Sequence, residues 1–159
     1  MVAPTIVITA ITKHLSEDKE LQNRLRNDRT LIPAAIEEFI RLHVPYRGFS
    51  RTAVTEEEIS GTKVPPEEPI TVVYSAANRD PEQLPEPDKF ILDRENITSH
   101  LGFGRGIHRC AGTWLARMII KIFLETMLDK CADWDVAGEV LYAKLPEIGP
   151  TSCPIQFIV

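Results

Sequence analysis

From Phe103 to Gly112 the chain reads Phe-Gly-Arg-Gly-Ile-His-Arg-Cys-Ala-Gly, and no other stretch restricts its possible folds as tightly. Gly102, Gly104 and Gly106 lack a Cβ, so they allow a tight turn that lies flat against a bound group. After the run, Leu115, Met118, Ile119, Ile122, Phe123 and Met127 recur at helical spacing. That spacing predicts an amphipathic helix from near Ala111 to near Lys130. Cys110 is therefore expected at a helix N-terminus, where free amides and the helix dipole favour a sulfur anion as a metal ligand. Gly112 leaves room for a flat cofactor to lie close.

A single sulfur with no cysteine nearby does not make a zinc or iron-sulfur site, since both want about four protein ligands. It suffices for haem iron, whose in-plane ligands come from the porphyrin. Two plainer readings stand beside this one. A buried cysteine is often only a small hydrophobe, and glycines before a helix can cradle phosphate. The phosphate reading lacks the lysine and serine or threonine that a nucleotide-hydrolysing loop carries after its glycines.

Composition narrows the class without naming it. The 159 residues are 43% hydrophobic and 26% charged, which suits one globular domain with a real core. A net charge of -5 argues against broad attraction to nucleic acid or an anionic membrane. Cys110, Cys131 and Cys153 are too irregular for a disulfide framework and fit a reducing, cytoplasmic setting. The apolar opening from Val2 to Ile11 is too short for a membrane span and has no basic region before it. It is expected to form a buried helix, although Ile6 to Leu15 also suits a buried strand.

Further along, Glu17 to Asn27 reads as a charged helix with Ser16 as N-cap. Pro33 opens a third helix that ends by Pro45, with Glu38 and Arg41 on one face. Residues 47–54 and 62–73 read as strands of a small antiparallel sheet, 74–78 as a short helix, and the proline-rich 79–87 as irregular. Trp134 to Val136, Val140 to Leu145 and Pro154 to Val159 are expected to be terminal strands. The fold class is thus mainly α with small β-sheets (α+β).

Phe-Gly-x-Gly-x-His-x-Cys-x-Gly resembles the cysteine-ligand loop of the cytochrome P-450 family, the haem-thiolate monooxygenases. Glu38-x-x-Arg41 is similar to the family's Glu-x-x-Arg helix, and Ala77-Asn78-Arg79-Asp80-Pro81 matches as well. The family's domain is much longer than this chain, so residues 1–159 are expected to be one partial domain, the C-terminal haem-binding portion. The resemblance implies haem b, with Cys110 as axial thiolate and Phe103 shielding the sulfur. Gly104 and Gly112 would line the cofactor, and His108, Arg51 and Arg109 would hold its propionates. It also implies that Arg94 joins Glu38 and Arg41 in an ion network that supports the loop.

The implied function is insertion of one oxygen atom of O2 into a small organic substrate, with electrons from a redox partner. An acidic donor, such as a ferredoxin or a flavoprotein reductase, is expected to dock near Arg105, Arg117 and Lys121. The family's acid-alcohol pair should fall between Val2 and Thr5, where Thr5 is the only alcohol and there is no acid. A haem-binding fragment without turnover is the alternative.

Overall fold

The apolar opening folds as a helix because its buried positions lie on one helical stripe. In the computed structural model, which describes residues 2–158, α1 spans Val2–Glu17. It buries Ile6, Val7, Ala10, Ile11 and Leu15, a spacing of one, three and four that a strand could not place on one side. Pro4 lies in the first turn, where a missing N–H does least harm.

Helix α2, Lys19–Asn27, is capped by Asp18, whose Oδ1 accepts the Leu21 N–H at 2.9 Å. The expected cap, Ser16, instead lies inside α1 and donates to the Lys13 carbonyl at 2.6 Å. Because α1 extends through Glu17, the first non-helical side chain able to cap is Asp18. Helix α3, Ile32–Leu42, carries Pro33 in its first turn and buries Ile36, Phe39 and Ile40 together with Glu38 and Arg41.

Strand β1 (Phe49–Thr52) falls in the first predicted strand region and β3 (Thr62–Val64) and β4 (Pro69–Val72) in the second, while β2 (Glu57–Ile59) lies between them where no strand was expected. Strand β1 pairs antiparallel with β4, setting Arg51 opposite Ile70, and β2 pairs antiparallel with β3. Helix α4, Tyr74–Ala77, follows, and then the irregular segment. Helix α5 spans Thr113–Lys130.

Four more strands close the chain: β5 (Asp133–Val136), β6 (Leu141–Ala143), β7 (Gly149–Ser152) and β8 (Ile155–Ile158). They pair as β5 with β8 and β6 with β7. Strand β7 lies outside the expected terminal strands, and its Gly149 and Pro150 are residues that strand patterns rarely contain. Val159, part of the expected last strand, lies outside the described residues.

The core forms where α1, α2, α3 and α5 meet. Ile11, Leu15, Leu25, Ile32, Phe39 and Leu124 are fully buried there, and Trp134 of β5 is nearly so. The buried Trp134 indole donates from Nε1 to the Thr12 carbonyl at 2.9 Å, so its polar edge is satisfied. His14 of α1 and His43, just past α3, meet at 3.3 Å between Nδ1 and Nε2. Burial holds both rings below their ordinary value, His43 to about 3.

This pair makes folding pH-dependent. With folded values depressed, the unfolded chain binds more protons below about pH 6.5, so stability is retained above that point and falls beneath it. The urea midpoint is expected to drop between about pH 7 and about pH 5, and His43→Gln should flatten the drop. Equal slopes for the variant and the parent protein would contradict the assignment.

Candidate active site

Glu38 has no exposed side-chain surface and four hydrogen bonds. Arg41 contributes Nε to Oε2 at 2.7 Å and Nη2 to Oε1 at 2.8 Å. Arg94 adds Nε to Oε1 at 2.9 Å, and the Ile91 N–H reaches the same oxygen at 3.0 Å. Burial opposes the charge on Glu38, but these donors outweigh it and keep the carboxyl below its ordinary value.

The arginines spend their remaining donors on backbone. Arg41 reaches the carbonyls of Asn78, Pro87 and Lys89, and Arg94 those of Pro85, Glu86 and Lys89. An irregular segment with no ladder partners is thereby pinned to α3. Glu38, Arg41 and Arg94, which the resemblance joined in an ion network, lie together within hydrogen-bond distance.

Asn78 carries the hold to the cysteine loop. Its Nδ2 donates to the Arg41 carbonyl at 3.2 Å, and its Oδ1 accepts the Leu101 N–H at 2.6 Å. Gly102 then passes so close to α3 that a Cβ there would meet Ile40 Cγ2 at 2.5 Å. Gly104 has φ +67°, a left-handed geometry that favours glycine, and its N–H returns to the Leu101 carbonyl at 2.9 Å. The Cys110 N–H donates to the Phe103 carbonyl at 2.9 Å, closing the loop on itself.

Cys110 is not on the first turn of α5. A 3-10 turn at Gly106–His108 and a capping Gly112 delay the helix to Thr113, whose hydroxyl donates to the Cys110 carbonyl at 2.6 Å. A Cβ on Gly112 would face the Cys110 sulfur at 3.8 Å, so that glycine leaves the space before the sulfur open.

The sulfur stands in the wall of an open cleft of about 550 Å³. Val7, Ile40, Leu115, Ile119 and Ile120 make its walls apolar, and Phe49 and Tyr74 add rings. Phe103, Gly104, Gly112, His108 and Arg51 also line it, so most of the predicted cofactor residues converge. Arg109 is exposed and is not among the lining residues. From α1 the cleft receives Ala3, Pro4 and Val7, while Thr5 lies on an exposed side.

The residues of the expected cationic patch are partly paired. Arg117 is bound by Glu37 at 2.5 and 2.7 Å in a largely buried fork, whereas Lys121 pairs with Glu125 at 2.6 Å on the exposed surface of α5. Glu37 also receives His100 Nε2 at 3.1 Å. Although burial opposes its charge, the Arg117 and His100 donors lower its carboxyl to about 2. Neither Glu37 nor His100 was singled out in the sequence. Adjacency to Glu38 on a helix is the only local sign of Glu37's importance.

The donor set tests what the cleft could hold. Among the described residues no three His, Cys, Asp or Glu side chains converge as a metal site. A metal at Cys110 would thus draw one ligand from the chain and the others from its own carrier. Apolar walls, one sulfur, and Arg51 and His108 for acidic substituents fit haem.

Comparison with known proteins agrees. Residues 7–137 match the family model described as Cytochrome P450. Cytochrome P450-terp from a Pseudomonas species is 35% identical over 144 residues, covering 90% of this chain and 33% of the relative. The cytochrome P450 monooxygenase PikC of Streptomyces venezuelae is 36% identical over 138 residues, covering 84% of this chain and 33% of PikC. The substrate-free structure of Mycobacterium marinum cytochrome P450 CYP150A6 superposes with a TM-score of 0.94 at 32% identity, covering 99% of this chain and 41% of that one. The chain belongs to the cytochrome P450 family, whose members are haem-iron oxidoreductases with haem b as cofactor. It spans about a third of the length of the curated relatives it matches.

Removing one member of the buried network leaves an opposite charge without its partner. Glu38→Gln is expected to cost about 3 kcal/mol in urea unfolding, well beyond the roughly 1 kcal/mol ceiling of a surface pair. A loss within that ceiling would show that water reaches the network.

Proposed function

We propose that residues 1–159 form one partial domain, the C-terminal haem-binding portion of a haem-thiolate monooxygenase. The reaction is insertion of one oxygen atom of O2 into a small organic substrate, with electrons from a redox partner. The observation that carries this reading is the Cys110 sulfur in the wall of an apolar cleft whose lining also includes Arg51 and His108. When bound, haem supplies the oxygen chemistry, and an axial thiolate favours O–O cleavage.

The chain's own residues provide the setting. Cys110 would supply the sulfur ligand, and Phe103 and the apolar walls would limit water around it once the group is bound, which tunes such a ligand. Arg51 and His108 would neutralise and orient the propionates. Gly104 and Gly112 would leave room for a flat group against the loop. Glu38, Arg41 and Arg94 take no part in the reaction and hold the frame. An acidic ferredoxin or flavoprotein reductase would meet Arg105 and Arg109, which are exposed beside Ile107, itself 96% exposed.

One observation favours the second reading, a haem-binding chain without turnover. The α1 residues lining the cleft are Ala3, Pro4 and Val7, so that helix offers no acid there to deliver protons. Thr5, the candidate alcohol, is on an exposed side.

The test is to express the chain with haem supply, reduce it, add carbon monoxide and record the absorption spectrum. A thiolate-type Soret band that disappears in Cys110→Ser is the expected result. Absence of haem, or a nitrogen-type band in the parent protein, would overturn the reading. Substrate oxidation at background with a normal spectrum would select the version without turnover.

A further inference from the structure

Glu37 directly precedes Glu38 on α3, so the two carboxylates leave the helix in different directions. Glu38 grips the irregular segment through Arg94. Glu37 grips Arg117 of α5 and His100, which precedes the cysteine loop. With side chains 16% and 26% exposed, Glu37 and Arg117 form a paired fork rather than a loose surface contact.

Both partners of Glu37 flank Phe103. The Arg117 guanidinium carbon lies 4.7 Å from the centroid of the Phe103 ring, and the His100 ring lies 6.2 Å away at 46°. His100 Nδ1 accepts the Gly102 N–H at 3.0 Å, which assigns its proton to Nε2, the atom facing Glu37. The Phe103 carbonyl in turn holds the Cys110 N–H. One carboxylate therefore ties down the ring, the turn before it and, by one further step, the backbone that presents the sulfur.

We propose that Glu37 is a positioning residue, a second carboxylate clasp on α3 that fixes Phe103 and the Cys110 backbone through Arg117 and His100. Its bearing on the haem ligand rests on the function proposed above. The clasp is separate from the Glu38 network, because its partners lie on α5 and in the turn before the loop. Arg117 thus serves the loop's geometry and is not available to a docking partner.

Amide hydrogen exchange of the full chain tests this. In Glu37→Gln and in Arg117→Met, the Gly104 and Cys110 amides are expected to exchange roughly tenfold faster, the scale of one lost charged hydrogen bond. The Ile91 amide, on the Glu38 network, should keep its parent rate. The double variant should be no faster than Glu37→Gln, which already releases both Arg117 and His100. Arg117→Lys, which keeps the charge and loses the fork, should fall between and serves if Glu37→Gln does not fold. In haem-loaded protein the thiolate-type fraction of the reduced carbon monoxide spectrum should fall in the same order. Parent rates at Gly104 and Cys110, an equal acceleration at Ile91, or a thiolate fraction unmoved by every variant would overturn the clasp. If the parent protein takes up no haem, the functional reading fails and the exchange rates alone decide.

Discussion

One buried anion sets the geometry of this chain. The Glu38 carboxylate is withdrawn from water, a placement that costs several kcal/mol unless every lone pair finds a donor. Arg41, Arg94 and the Ile91 amide meet that demand, and the arginines pass their spare donors to backbone carbonyls of a segment without secondary structure. An irregular segment normally wanders because nothing satisfies its carbonyls except solvent. Here a fixed guanidinium fork replaces the solvent, and the path into the cysteine loop becomes as definite as a helix.

From that frame the cleft follows by close packing. Gly102 lets the loop lie on Ile40, Asn78 ties Leu101 to the end of α3, and Gly104 turns the chain so that Cys110 can bond back to Phe103. The apolar wall comes from α1, α3 and α5, which also build the core. Stability and site are therefore not independent, because loosening α3 disturbs both. The bond from Thr113 to the Cys110 carbonyl adds a last local restraint where α5 begins.

What the sequence disclosed follows from how far apart the interacting residues are. The glycine-cysteine run, the Glu38 to Arg41 spacing and the existence of α5 are local, and each was legible, but α5 buries Ile120, Leu124 and Leu128 while Leu115, Met118 and Ile122 of the expected stripe are exposed. The start of α5 was misplaced by two residues because Gly112, a poor marker, serves as its cap. Thr5 was placed by spacing alone, and one residue on a helix swings a side chain about 100° away from its neighbour. The pairing of Glu37 with His100 and Arg117 joins residues 63 and 80 positions apart. No periodicity signals it, so Arg117 read as a surface charge.

We propose that the Cys110 sulfur, presented by this frame, would bind haem iron. Iron-edge X-ray absorption on the haem-loaded chain measures the atoms bonded to the metal directly. The account predicts one sulfur neighbour besides the porphyrin nitrogens, present in the parent protein and missing in Cys110→Ser. An iron surrounded only by nitrogen or oxygen in the parent protein would contradict it.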